Sequence, residues 1–172
     1  MPHIVKPAVF LDRDGVLTEE KSYITSLRDL TIFPYTKECI DAIHAKGYYA
    51  IVITNQSAVA RGFITEELLQ KMNEYLETEA NVDKVYYCPH LPIHNCSCRK
   101  PKTGLIERAC SDYRIDMGKS YMVGDRASDI MLGKNAGIKT VLLESGYGTG
   151  RLEADVEPDY ILNDLRDFIK IL

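Results

Sequence analysis

Ala8-Val9-Phe10-Leu11-Asp12-Arg13-Asp14-Gly15-Val16 is the stretch from which the rest of the chain can be read. Its first four residues form a short apolar run, the pattern of a strand buried on both faces. Two carboxylates, Asp12 and Asp14, leave that strand two residues apart with a glycine behind them. In an open parallel sheet ligands bind beyond the carboxyl ends of the strands, so acids placed there are placed for chemistry. An Asp-rich turn closing a strand would have the same composition. The choice between the two readings rests on what the other strands end in.

At 172 residues the chain has the length of one domain, 1–172, with one substantial core, and 45% hydrophobic with 27% charged residues is the composition of a globular protein. A formal net charge of -4, from 21 basic and 25 acidic residues, argues against a general affinity for nucleic acid or an anionic membrane. An anionic ligand must then be held by local cations. No apolar run approaches bilayer length, and Met1 to Lys6 lacks the apolar core of a signal peptide. The expectation is a cytoplasmic monomer.

Strand and helix patterns alternate along the chain. The apolar runs 48–53, 84–87, 121–123, 139–143 and 160–162 read as strands. Helical spacing covers 36–46, a segment opening at Thr65, 103–113, 129–135 and a short final segment. Thr65 is a candidate N-cap, and Leu68, Leu69, Met72, Tyr75 and Leu76 form the expected inward face of the second helix. From Asp14 to Pro34 the chain is polar and irregular, with Tyr23, Ile24, Leu30 and Phe33 as expected apolar anchors. The assembly this predicts is an α/β fold of three layers, α/β/α, around a mainly parallel sheet.

The strand ends carry a consistent chemistry. A carboxylate can attack phosphorus to give an aspartyl-phosphate that water later hydrolyses, and Asp12 is the first candidate. Its repulsion from phosphate calls for a hard divalent ion such as magnesium, for which Asp125, at the end of the fourth strand, is a further ligand. Asp14 is close enough to give a proton to the leaving oxygen and later take one from water. Thr54 offers a hydroxyl, and Asn55 and Gln56 follow it as candidate substrate-binding residues whose backbone N–H groups could form an anion nest. Lys100 would add fixed positive charge where phosphoryl oxygens become more negative.

Taken in order, Asp12-Arg13-Asp14-Gly15-Val16, Thr54-Asn55-Gln56, the Lys100 segment and Gly124-Asp125-Arg126-Ala127-Ser128-Asp129 resemble the four motifs of the haloacid dehalogenase superfamily. The resemblance runs from about residue 8 to residue 146 and implies a magnesium-dependent phosphatase. It makes Asp12 the nucleophile and Asp14 the acid/base, gives Thr54 and Lys100 to phosphate, and builds the metal site from Asp12, Asp125 and the carbonyl of Asp14. Asp129 would orient Lys100 or metal-bound water. An acid facing the dipole at a helix N-terminus is the competing reading of Asp129.

Five cysteines are unevenly spread, and Cys88, Cys96 and Cys98 lie within eleven residues beside His90. That is metal-ligand spacing, and these four soft donors suit a tetrahedral structural zinc. His94 lies inside the same loop and could compete with His90. Cys39 and Cys110 are expected in the core; His3 and His44 carry no partner signal. The intervals between motifs leave no room for a cap domain of the kind many superfamily members insert, so the site should be open, with the zinc loop as one wall and Arg61 and Arg99 available to the remainder of the substrate.

A capless member (subfamily IIIA) with such a loop resembles the phosphatases of D-glycero-D-manno-heptose 1,7-bisphosphate and of histidinol phosphate. The run from Thr54 to Phe63 is more similar to the heptose side, although Ala58 and Val59 stand where glycine and isoleucine are usual. The five residues between His90 and Cys96 resemble the compact loop of the histidinol side. Removal of the 7-phosphate of the heptose, a step of carbohydrate metabolism, is the expectation and histidinol phosphate the alternative. A signalling receiver also uses acids, magnesium, threonine and lysine, but its accepting aspartate belongs at the third strand, which here ends at Cys88. A non-catalytic zinc module would leave Asp12, Thr54, Lys100 and Asp125 without a purpose.

Overall fold

The computed structural model describes residues 4–172, so His3 lies outside the described residues. Six strands, β1 (Ala8–Leu11), β2 (Tyr49–Asn55), β3 (Lys84–Cys88), β4 (Tyr121–Gly124), β5 (Lys139–Leu143) and β6 (Tyr160–Leu162), form one sheet in the order β3-β2-β1-β4-β5-β6. All five pairings are parallel. The helices between them are α1 (Thr36–Ala45), α2 (Glu66–Ala80), α3 (Gly104–Asp112), α4 (Ala127–Asn135) and α5 (Leu165–Ile171).

The unbroken apolar run of β1 follows from its place. It is the central strand, paired with β2 on one side and β4 on the other, and it has helices over both faces. Alternate residues serve alternate layers. Val9 and Leu11 pack with Cys39, Ile40 and Ile43 of α1, Leu76 of α2 and Leu165 and Phe168 of α5. Ala8 and Phe10 face the other way, onto Leu105, Ile106 and Ala109 of α3 and Leu132 of α4. The three expected layers are present, and no domain is inserted among the described residues.

Chain direction across the sheet reverses at β1. The first three strands step outward one way, and the chain then crosses to place β4 on the free side of β1. Such a switch point opens a crevice at the carboxyl ends of the two strands. Leu11 pairs with Val123, and the Asp12 N–H donates to the Val123 carbonyl at 3.0 Å. The register therefore sets Asp12, the residue after β1, beside Gly124, the last residue of β4, and one step from Asp125.

Local signals set the helix ends. The Thr65 hydroxyl accepts from the Leu68 N–H at 3.1 Å, the N-cap expected of it. Helix α4 starts two residues earlier than its apolar pattern suggested, because Asp129 reaches back to cap its first turn. Four expectations need correction. Tyr75 is 39% exposed, since it lies at the rim of the apolar face of α2. Tyr23 is also exposed and meets Phe63 edge-on, with ring centroids 5.1 Å apart, while Ile24 and Leu30 do anchor the loop. Cys110 is exposed on α3. His44 does have a partner: its Nε2 lies 2.9 Å from Asp83 Oδ2, which also accepts from the Ala50 N–H at 2.7 Å. No helix among the described residues is long and apolar enough to cross a membrane.

Phe168 is fully buried where α5 meets the sheet and packs edge-on against Tyr121 at 5.3 Å. Phe168→Ala should lower the free energy of unfolding by about 3–5 kcal/mol in urea titrations, because a fully buried aromatic ring is lost and the surrounding core closes the gap only in part.

Candidate active site

The turn after β1 is wound around the backbone of Arg13, whose carbonyl accepts from the N–H groups of Val16, Leu17 and Thr18 at 3.3, 2.9 and 3.1 Å. Gly15 completes it at φ +84°, a left-handed conformation that favours glycine. A Cβ on Gly15 would also run into the Asp125 carboxylate. The turn holds Asp12 over the crevice with Asp12 and Asp125 both buried.

Lys100 arrives from the loop after β3 and is 4% exposed. Its Nζ lies 2.9 Å from Asp12 Oδ1 and 2.7 Å from Asp129 Oδ1, and it donates to the Ile53 carbonyl at 2.9 Å. Burial alone would lower this ammonium, but the carboxylates of Asp12 and Asp129 outweigh it and hold the group above its ordinary value. Asp129 serves both of the roles weighed for it: Oδ1 meets Lys100, and Oδ2 accepts from the N–H groups of Asp125 and Arg126, each at 3.2 Å.

The acids outnumber the cation. Burial, then the nearby Asp129 charge, push Asp12 up to about 7 although Lys100 pulls the other way. Burial, then the charges of Asp12 and Asp129, push Asp125 up to about 8. Donor oxygens of Asp12, Asp125 and Asp129 lie within 4.8 Å of one another. Asp125 Oδ2 accepts from the Tyr147 N–H at 2.9 Å, while Oδ1 is buried with no hydrogen-bond partner in the protein. An oxygen-rich pocket with an unmatched buried acceptor fits a hard divalent cation, for which Asp12 and Asp125 could supply carboxylate oxygens.

Asp14 points elsewhere. Burial would raise its carboxyl, but the Arg13 guanidinium and hydrogen bonds from Arg13, Gln56 and Thr18 bring it below its ordinary value. Thr54 is buried in β2, and its hydroxyl accepts from Gln56 Nε2 at 2.9 Å. Gln56 is itself buried, with its amide occupied by Thr54, Asp14 and Arg13. Asn55 ties β2 to the Lys100 segment, accepting from the Lys100 N–H at 3.0 Å. Arg61 and Arg99 both line the cleft of about 360 Å³ that opens over Asp12 and Lys100. Arg61 lies 5.6 Å from the Tyr23 ring, and Arg99 Nη1 donates to the His90 carbonyl at 3.0 Å.

The four soft donors converge beside this cleft. Cys88 Sγ lies 3.5 Å from His90 Nδ1 and from Cys96 Sγ, and Cys98 Sγ lies 3.1 Å from Cys88 Sγ, 3.5 Å from Cys96 Sγ and 3.3 Å from His90 Nδ1. Such spacings approach the edges of a tetrahedron around zinc, about 3.5–3.8 Å for ligands at ordinary bond lengths. These residues could hold that ion. His94 does not compete: its Nδ1 accepts from the Leu91 N–H at 3.0 Å and closes a short turn.

A family model described as HAD-hyrolase-like matches residues 97–168. Over 95% of its length the chain is 36% identical to the D-glycero-beta-D-manno-heptose-1,7-bisphosphate 7-phosphatase of Haemophilus ducreyi, covering 97% of that protein. The chain belongs to the haloacid dehalogenase-like family of phosphatases. It is also 40% identical to a probable D-glycero-D-manno-heptose-1,7-bisphosphate 7-phosphatase of Thermoplasma acidophilum, over 76% of this chain and 85% of that one. Among solved structures, D,D-heptose 1.7-bisphosphate phosphatase from B. bronchiseptica, complexed with magnesium and phosphate, is similar with a TM-score of 0.87 and 25% identity, covering 96% of this chain and 97% of that one.

Two parts of this haloacid dehalogenase-like site were not singled out in the sequence. Arg13 sits inside the first motif, yet an arginine between two acids reads as solvated. The loop after β5 contributes Gly146, whose missing side chain lets the backbone press on Asp125, and Tyr147, whose N–H bonds it. Ser145 Oγ donates to the Gly15 carbonyl at 2.7 Å and joins the two loops. The glycines at 146, 148 and 150 were the available signal.

The raised carboxyls give a test with a definite sign. Unfolded aspartates release their protons near pH 4, whereas Asp12 and Asp125 keep theirs to about 7 and 8, so without a cation stability falls as pH rises across that window. A cation replacing those protons restores it. The rise in melting temperature caused by magnesium, taken against a magnesium-free reference, should therefore be larger at about pH 8 than at about pH 5.5, with chelator left out so that no ion is stripped from the cysteine cluster.

Proposed function

We propose that this chain works as one capless domain and is a magnesium-dependent phosphomonoesterase that removes the 7-phosphate of D-glycero-D-manno-heptose 1,7-bisphosphate. The observation that carries the reading is the buried Asp12 carboxylate, fixed between Lys100 and Asp125 at the floor of an open cleft. The substrate comes from the names of relatives that match over most of the chain.

Asp12 Oδ1 already accepts from the Arg13 N–H at 2.7 Å and meets Lys100, which leaves Oδ2 to attack. A bond forms from Oδ2 to phosphorus, and the ester P–O bond breaks. Asp14 gives a proton to the departing oxygen and then, as a carboxylate, takes one from the water that hydrolyses the aspartyl-phosphate. Its side chain is an ion in the free protein, and the negative charge of an incoming phosphate favours its protonation. Thr54 and Lys100 bind the transferring phosphoryl oxygens, with backbone N–H groups of Asn55 and Gln56 in support. A magnesium ion held by Asp12, Asp125 and the Asp14 carbonyl would offset the repulsion between carboxylate and phosphate.

Zinc held by Cys88, His90, Cys96 and Cys98 would be structural, since four protein donors leave it no open position. It would fix the His90 carbonyl and, through that carbonyl, Arg99. Arg99 and Arg61 are then the cations for the second phosphate of a bisphosphate.

With magnesium, heptose 1,7-bisphosphate should be hydrolysed with kcat/KM roughly a hundredfold above that for histidinol phosphate; the opposite ranking overturns the substrate and leaves the chemistry standing. Asp12→Asn should cut turnover by roughly a thousandfold or more on either ester. Metal analysis should find one zinc per chain in the native protein and none in Cys98→Ser, with a lower melting temperature for the variant.

A further inference from the structure

Arg13 has the largest side chain among the fully buried residues, at 1% exposed. Taking a guanidinium out of water is unfavourable unless it is paired and hydrogen-bonded. Here the pairing is a planar fork: Nε donates to Asp14 Oδ1 and Nη2 to Asp14 Oδ2, both at 3.0 Å. Adjacent residues in an extended chain point to opposite sides, and this pair can meet only because the backbone turns around Arg13.

Gln56 closes a ring with them. Its Oε1 accepts from Arg13 Nη2 at 3.1 Å, and its Nε2 donates to Asp14 Oδ2 at 3.0 Å. Each of the three side chains is bonded to the other two. Thr18 adds a donor at 3.1 Å to Oδ1. The Asp14 side chain is nevertheless 20% exposed, against 2% for Arg13, so the carboxylate has one open edge on the cleft and a buried clamp behind it.

We propose that Arg13, with Gln56, is a positioning residue for proton transfer: the fork fixes the plane and rotamer of Asp14 so that its open edge meets the departing oxygen, and Arg13, with a side chain 2% exposed, acts through that carboxylate. The inference rests on the assignment of Asp14 as acid/base made above. A carboxylate offers about four acceptor positions, and the four donors fill them. A proton arriving on Asp14 must displace one donor. Thr18 is the partner suited to this, since its hydroxyl also lies 3.3 Å from the Arg13 carbonyl and can turn to that acceptor, freeing the Asp14 oxygen for the proton it passes to the departing oxygen.

This role has a signature that a merely structural arginine lacks. As the P–O bond breaks, a sugar alkoxide must gain a proton, whereas p-nitrophenolate leaves without one. In the magnesium-loaded protein, Arg13→Met should lower kcat/KM for heptose 1,7-bisphosphate roughly 30- to 300-fold and that for p-nitrophenyl phosphate by only a few fold, a part of the roughly 100- to 10,000-fold that general acid catalysis contributes. Arg13→Lys, which keeps the charge and loses the fork, should recover only part of the difference. Should Arg13→Met fail to fold, Gln56→Leu is expected to show the same split in reduced form. Equal losses on both esters, or full recovery by Arg13→Lys, would overturn the proposal. Asp14→Asn separates the two readings: no split in that variant refutes the acid/base assignment, while a split there and none in the Arg13 and Gln56 variants refutes the clamp alone.

Discussion

The site depends on one ammonium group. Lys100 Nζ lies between Asp12 and Asp129 at 2.9 and 2.7 Å, away from water, and touches the main chain of β2. Through it the loop after β3, the end of β1 and the first turn of α4 share a single point. Ion pairs at a surface are worth little, but removing one partner of a buried pair leaves an uncompensated charge. The position of Lys100 thus decides whether three separate strand ends act together.

Asp12, Asp125 and Asp129 gather around one lysine, so the cluster is short of positive charge, whereas Asp14 beside it has a cation of its own in Arg13. Asp12 is driven upward by burial and the Asp129 charge, and Asp125 by burial and the charges of Asp12 and Asp129, while Asp14, ten times as exposed as its Arg13 partner, is driven downward by that guanidinium after burial has raised it. The same residue type thereby acquires different chemistry within a few ångströms. Two of the acids are short of positive charge, and the third has it supplied by the protein.

Most of this was legible in the sequence where local pattern and strand position agree. The apolar run from Ala8 to Leu11, the alternation of helices and strands, the Thr65 cap and the spacing of Cys88, His90, Cys96 and Cys98 all correspond to what the structure contains. What escaped was decided at a distance. His44 meets Asp83 across a gap that no pattern spans, and Gly146 reaches Asp125 only after the sheet has formed. Tyr75 and Cys110 were misplaced for another reason: helical spacing fixes a face of a helix but not how far around it the core extends. Arg13 was passed over because a charged residue is usually solvated, and only the turn around its carbonyl shows why this one is not.

The close approach of Gly15 and Gly146 to each other and to one oxygen of Asp125, Oδ2, bears on how the site is made. Its first acid is residue 12, its Lys is residue 100, and the backbone that completes the pocket around Asp125 comes from residues 146 to 148. A chain leaving the ribosome therefore carries Asp12 for a long stretch without Asp125 or the loop that closes on it. The acids are gathered only when residues 125 to 148 have followed, which separates the making of the first acid from the assembly of the site around it.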